Sequence, residues 1–165
     1  MWQDKGFMQN AATDTNLAMR QLAALIIHVK ERYEKMNADE LLLYPAPGKW
    51  SRQEILGHLI DSAINNLKRF TDAQFSEQPY VIVSYRQNEL VTVNHYRQLP
   101  LHHLLLLWQS LNQQIIFVVQ QIPLDILAYK VQPQYNQTGT QTLAWLVCDY
   151  VEHMKHHLRA MSLME

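Results

Sequence analysis

Residues 149–161 read DYVEHMKHHLRAM and place His153 and His157 four positions apart. On an α-helix, residues four apart differ by about 40° around the axis, so these two imidazoles share one face. That face reads Leu146, Tyr150, His153, His157 and Ala160, the apolar stripe of a helix that packs in a bundle. We therefore expect both imidazoles to point towards the protein core, and we expect His156, on the opposite face, at the surface.

Working outward from this stretch, four segments repeat apolar residues at helical spacing, at about 14–36, 51–70, 100–118 and 140–163. Asp14 or Thr15 is a candidate cap for the first segment, and Ser51 and Glu54 form a capping box for the second. With 4 Gly and 6 Pro among 165 residues, turns are few. The pattern predicts an all-α four-helix bundle in a single domain over residues 1–165, not a β-sandwich or barrel.

The connections between these helices differ in length. Residues 44–50, YPAPGKW, form a stiff turn. Residues 76–99 form a link long enough for a crossover between the second and third helices. Within it, residues 80–85 favour a strand and residues 88–96 favour a short helix. Residues 130–139, KVQPQYNQTG, are expected to be a polar loop.

Charge and cysteine content exclude several classes of protein. The net charge is −1, from 14 basic and 15 acidic residues, with no basic run that would suit a nucleic acid. No apolar run approaches the roughly 20 residues of a membrane span, and the N-terminus lacks a secretory core, so we expect a cytoplasmic protein. The single cysteine, Cys148, rules out an internal disulfide and is expected to be a small buried residue.

Two histidines on one helical turn can bind one transition metal together, or each can be a core-edge histidine bonded to a carbonyl or a tyrosine. A third ligand would come from another helix. The candidates are His28, His58, His95, His102 and His103. Periodicity does not choose among them, because His58 falls beside the apolar arc of its helix and not at its centre. Gly57 costs about 1 kcal/mol relative to alanine inside a helix, which a close approach would explain, as would neutral drift.

Two of these segments carry a family resemblance. Residues 48–63, GKWSRQEILGHLIDSA, and 150–161, YVEHMKHHLRAM, resemble the DinB-like superfamily, also called the YfiT-like metal-dependent hydrolases. Residues 85–115 resemble the crossover and third helix of that family, so the resemblance extends over about residues 15–163. It implies a four-helix bundle in up-down-down-up order. It also implies a metal site formed by His58, His153 and His157.

The resemblance also implies chemistry. Members of this family bind zinc, nickel and related divalent ions, and some are thiol-dependent enzymes, including bacillithiol S-transferases and mycothiol-dependent maleylpyruvate isomerase. Three histidine ligands leave one coordination position open for water or substrate. We therefore expect a hydrolase or a thiol S-transferase acting on a small molecule, the latter with a low-molecular-weight thiol. The alternative is a non-catalytic bundle that binds a metal, another ligand or a second copy of itself as a homodimer.

Other residues are weaker candidates for the site. Asp61, Asp149 and Glu152 are candidates for a general base or for a group that orients the ligands, although carboxylates on helices are more often solvated. Trp50 and Trp108 are either at the mouth of a pocket or in the core. The crossover is a candidate source of substrate contacts, because such contacts concentrate on irregular segments. The alternatives are that it covers the open side of the bundle or forms a dimer interface.

Overall fold

A computed structural model describes residues 2–134 and 139–164, with side chains from residue 10 onward. In chain order the elements are α1 (Trp2–Glu34), α2 (Ala38–Leu42), α3 (Arg52–Asp72), β1 (Tyr80–Ile82), α4 (Gln87–Val93), α5 (Leu101–Gln120), α6 (Leu124–Leu127), β2 (Lys130–Pro133), β3 (Gln141–Thr142) and α7 (Leu143–Ala160), with a 3-10 turn (Tyr96–Gln98) before α5. The predicted all-α bundle is confirmed. The sheet is a minor addition.

Helices α1, α3, α5 and α7 form a four-helix bundle in up-down-down-up order, and their apolar faces meet in one core. The largest fully buried side chains include Leu22, Tyr33, Leu59, Phe70, Trp108, Ile115 and Met154. The parallel pair α3 and α5 requires the chain to return along the bundle, and the residues between them make that crossover. Among the described residues, no helix combines the length and the hydropathy that crossing a membrane requires.

Helix α1 begins earlier than its apolar periodicity predicts. The prediction placed the start near residue 14, whereas the helix runs from Trp2. The proposed cap at Asp14 or Thr15 is therefore wrong. The hydroxyl of Thr15 donates to the carbonyl oxygen of Ala11 at 3.0 Å, which is the bond a threonine makes inside a helix.

The capping box of α3 is confirmed. Glu54 Oε2 accepts from the backbone N–H of Ser51 at 2.8 Å, and Ser51 Oγ accepts from the backbone N–H of Glu54 at 3.3 Å. Helix α7 begins after Thr142, whose hydroxyl oxygen accepts from the backbone N–H of Trp145 at 3.1 Å. These two N-caps fix where the histidine-bearing helices start.

The crossover contains the predicted strand β1 and the short helix α4. The expectation that residues 130–139 form a plain loop is wrong for their first part. Strand β2 pairs in parallel with β1, with Tyr80 opposite Val131, and it also pairs antiparallel with β3. Val131 is fully buried. Burial of this side chain and pairing with β1, which is distant in sequence, therefore favour a strand over a loop at this position. Residues 135–138 of the same expectation lie outside the described residues.

Candidate metal centre

Three histidine side chains converge between α3 and α7. The Nε2 atom of His58 lies 3.3 Å from Nε2 of His153 and 3.1 Å from Nε2 of His157. One ring nitrogen from each residue falls within 4.8 Å of the other two. The structure thus brings together the three residues that the family resemblance implied, with their donor atoms facing a common point.

His58 is fully buried, although periodicity placed it at the edge of the apolar arc. The reason is that α3 is covered on more than one side. The buried residues of its first three turns are Gln53, Leu56, Gly57, His58, Leu59, Ile60, Asp61, Ser62 and Ala63. The bundle covers one part of this circumference and the crossover covers another, so an analysis that assumes a single apolar stripe underestimates the burial of His58.

The environment keeps all three imidazoles neutral at pH 7. Burial, assisted by the neighbouring His157 and His153, lowers the pKa of His58 to about 3. Burial likewise lowers the pKa of His157 to about 4, and it lowers the pKa of His153 although the nearby Asp149 opposes it. A neutral imidazole has a free lone pair, which is the form that binds a metal ion.

Comparison with known proteins identifies the family of the chain. A model of the DinB superfamily matches residues 21–161 of the sequence, which is most of the chain. The chain belongs to the DinB superfamily. No curated protein matches it by sequence.

Two solved structures share the fold of this DinB-superfamily protein. YfiT from Bacillus subtilis, described as a probable metal-dependent hydrolase with an unusual four-helix bundle topology, aligns with a TM-score of 0.80 at 20% identity. The alignment covers 90% of this chain and 83% of YfiT. A mycothiol-dependent maleylpyruvate isomerase aligns with a TM-score of 0.60 at 15% identity, over 92% of this chain but only 59% of the isomerase.

Helix α3 and the crossover approach each other closely at Gly57 of this DinB-superfamily protein. A Cβ atom at Gly57 would lie 2.1 Å from a ring carbon of Tyr96. A close approach thus accounts for a glycine inside this helix, and the segment that approaches α3 is the crossover. Gln53 holds the same segment, because its side-chain amide donates to the carbonyl oxygens of Tyr96 and Leu99 at 2.8 and 2.9 Å.

Asp61 lies at this junction and not among the histidines. Its Oδ1 atom accepts from the hydroxyl of Tyr96 at 2.6 Å and from the side-chain amide of Asn94 at 3.0 Å. Burial raises the pKa of Asp61, and these two hydrogen bonds oppose the rise. The contacts of Asp61 thus anchor the crossover on α3, close to the helical turn that carries His58.

The two tryptophans have different positions. Trp50 packs on His58 with ring centroids 4.9 Å apart, whereas Trp108 is fully buried in the core. Nδ1 of His58 has no hydrogen-bond partner among the described residues, so packing by Trp50 helps to orient this ring.

None of the remaining histidines of the DinB bundle, all of which the structure describes, contributes a donor to the centre, although the ring of His156 lies beside that of His157. The exposed ones are His95, His102, His103 and His156, and exposure of His156 was predicted from the sequence. His28 lies at the helix edge, with Nε2 2.5 Å from the carbonyl oxygen of Leu163. Two expectations on α7 need correction. His153 and His157 are half-buried and Ala160 is exposed, so the fully buried part of the stripe ends at Tyr150, and Cys148 is also only half-buried.

A cavity of about 280 Å³ adjoins the centre, and His153 forms part of its wall. Arg69, Tyr85 and Asp149 also line it, together with Ser62 and other residues. Arg69 and Tyr85 were not among the candidate residues. Arg69 shares the face of α3 that carries His58, but it lies eleven positions and so about 16 Å further along the helix, and nothing in the sequence indicated that it borders a cavity. Tyr85 belongs to the crossover, the segment that was expected to supply substrate contacts.

Proposed function

We propose that this protein is a metal-dependent enzyme acting on a small molecule, with a divalent transition metal, zinc or nickel, held by His58, His153 and His157. The observation that carries the proposal is the convergence of the three Nε2 donors, one of which belongs to a histidine, His153, that also lines a cavity. Imidazole nitrogen is a ligand that both of these metals favour.

The spacing of the donors fits a metal ion. Zinc binds imidazole nitrogen at about 2.0–2.1 Å, and two such bonds at a tetrahedral angle place the nitrogens roughly 3.3–3.4 Å apart. The two distances from Nε2 of His58 are 3.3 and 3.1 Å. A single imidazole nitrogen offers one proton or one lone pair, so Nε2 of His58 cannot form a full hydrogen bond to both neighbours. A shared cation accounts for both contacts.

Three protein ligands are the number typical of catalytic zinc sites, which leave a further position for water or substrate. Within the described residues, no fourth histidine, cysteine or acidic residue joins the cluster. A metal bound there supplies Lewis acidity, which lowers the pKa of a coordinated water or holds a thiol as thiolate. The chain itself supplies neutral ligands, the packing of Trp50 and a cavity that positions the substrate.

The nucleophile in this proposal comes from outside the chain. Cys148 does not line the cavity of the histidine centre but a separate depression beside Asp14 and Trp145. Burial raises the pKa of its thiol, which disfavours the reactive thiolate. Water or a low-molecular-weight thiol therefore remains as the attacking group, giving a hydrolase or an S-transferase. The description of YfiT as a probable hydrolase and the mycothiol dependence of the isomerase are in keeping with these two reactions.

Metal removal tests the proposal. We expect the protein to turn over a member of a panel of esters and amides, or of thiols paired with an alkylating substrate. Stripping the metal with a chelator should lower that rate at least about 100-fold, since a Lewis acid contributes several kcal/mol to catalysis. Zinc or nickel should restore the rate, whereas magnesium, which prefers oxygen ligands, should not.

The same assay separates the catalytic proposal from the non-catalytic alternative. Undiminished turnover by the stripped protein would show that the histidine centre is not the catalytic group. Protein fully loaded with zinc or nickel that turns over neither panel would favour a bundle that only binds its metal.

A further inference from the structure

We infer that the cavity beside the histidine centre binds the carboxylate of a small acidic substrate, and that Arg69 is the residue that receives it. The inference rests on the proposed function, which places the reacting end of the substrate at the histidines. It adds a second contact between protein and substrate, at Arg69, and so predicts that the substrate carries a carboxylate.

Neutral groups hold the guanidinium of Arg69 in place. Its Nη2 donates to the carbonyl oxygen of Val83 at 2.8 Å, and its Nη1 donates to Oδ1 of Asn66 at 3.4 Å. The ring of Tyr85 lies 5.6 Å from the guanidinium carbon, within the range of a cation–π contact. These contacts fix the orientation of the fork without neutralising its charge.

Arg69 has no ion-pair partner in the part of the chain that the structure describes. Five other described basic side chains have a carboxylate within 4.0 Å, namely Lys30, Lys68, Arg86, Arg97 and Lys155. Arg69 differs from the remaining unpaired ones in that it lines the cavity beside His153. Burial lowers the pKa of the Arg69 guanidinium, and the carboxylate of Asp149 opposes this without forming an ion pair. A half-buried guanidinium without an ion-pair partner costs free energy, and a ligand carboxylate would offset that cost. Two of the five N–H donors of a guanidinium serve Val83 and Asn66, so donors remain for a two-point contact with a carboxylate.

The other charges at the cavity agree with an anionic ligand. Asp149 also lines the cavity, but it is exposed and lies more than 4.0 Å from the guanidinium. With a divalent metal at the histidines, the sum of Arg69, Asp149 and the metal is positive. Among the described residues that line the cavity, Arg69 is the only lysine or arginine. A single basic side chain suits a singly charged carboxylate better than a phosphate dianion.

Paired probes test the inference on the zinc-loaded protein. By calorimetry we expect 3-mercaptopropionate to bind at least about tenfold more tightly than its neutral amide, because a charge-assisted bidentate contact is the stronger one. In Arg69→Gln the ratio of the two affinities should fall to about one, while the affinity for the amide and the zinc content stay unchanged. Arg69→Lys should keep part of the preference. The control Lys68→Gln removes a neighbouring charge of the same helix that does not line the cavity, and it should change nothing.

Repeating the titration with propionate and propionamide on chelator-stripped protein separates this inference from the proposed function. If the protein binds no zinc but still prefers propionate through Arg69, the metal proposal fails and the carboxylate site stands. If zinc binds but the acid and the amide bind equally, or Arg69→Gln keeps the preference, the carboxylate inference is overturned. Tighter binding of methyl phosphate than of propionate to Arg69 would also overturn the assignment to a carboxylate.

Discussion

Replacing His157 by alanine is expected to lower the affinity for zinc by more than about 100-fold, because loss of a group that merely orients a ligand already costs 10–100-fold. His157 contributes one of the three converging donors, and its Nε2 lies 3.1 Å from that of His58. Two ligands on separate helices would remain, with a gap where the third bound. Competition with a chromophoric zinc chelator measures the change.

His156→Ala is the matched control for this experiment. It removes the same residue type from the next position of α7, where the side chain is exposed and its ring centroid lies 5.7 Å from that of His157. We expect zinc affinity within a few-fold of the unchanged protein, since all three donors remain and only one exposed edge contact with the ring of His157 is lost. Equal losses in both variants would point to general damage to α7, and undiminished binding by His157→Ala would remove this residue from the ligand set.

Gly57→Ala is expected to destabilise the protein by about 2 kcal/mol, against the gain of about 1 kcal/mol that alanine normally brings to a helix interior. The added methyl group would meet two ring carbons of Tyr96 at 2.1 and 2.2 Å and its Cβ at 2.8 Å. Tyr96 cannot easily move away, because its hydroxyl donates to Asp61 at 2.6 Å. For a chain of this length the loss corresponds to a decrease in Tm of about 4–8 °C by thermal denaturation.

A double-mutant cycle with Tyr96→Ala checks the cause of this effect. Once the ring is gone, only the Cβ of residue 96 lies near the new methyl group, so the penalty of Gly57→Ala should shrink by about 1 kcal/mol or more. Additive effects, or a Gly57→Ala protein that is more stable than the original, would show that the contact with Tyr96 does not explain the glycine.

Local signals predicted the elements of the bundle well. The capping box at Ser51 predicted where α3 begins, and the four-residue spacing of His153 and His157 placed both imidazoles at one face of α7. These features depend on residues close together in the chain, so periodicity and capping rules apply to them directly.

Features that depend on distant contacts were not predictable in the same way. His58 is buried because the crossover covers a second side of α3, and strand β2 exists because it pairs with β1. No local pattern identified His58 as the third member of the centre, and only the family resemblance did so. Arg69 was overlooked because the sequence does not show that a cavity lies beside it.

The central claim is that His58, His153 and His157 together hold one metal ion. X-ray absorption spectroscopy at the metal edge tests it most directly, on protein whose metal content has been measured by elemental analysis. The account predicts about one metal per chain, with three imidazole nitrogens at about 2.0–2.1 Å for zinc and at least one oxygen or sulfur ligand completing the site. Stoichiometric metal without an imidazole signal, or no metal retained after exposure to zinc and nickel, would contradict it.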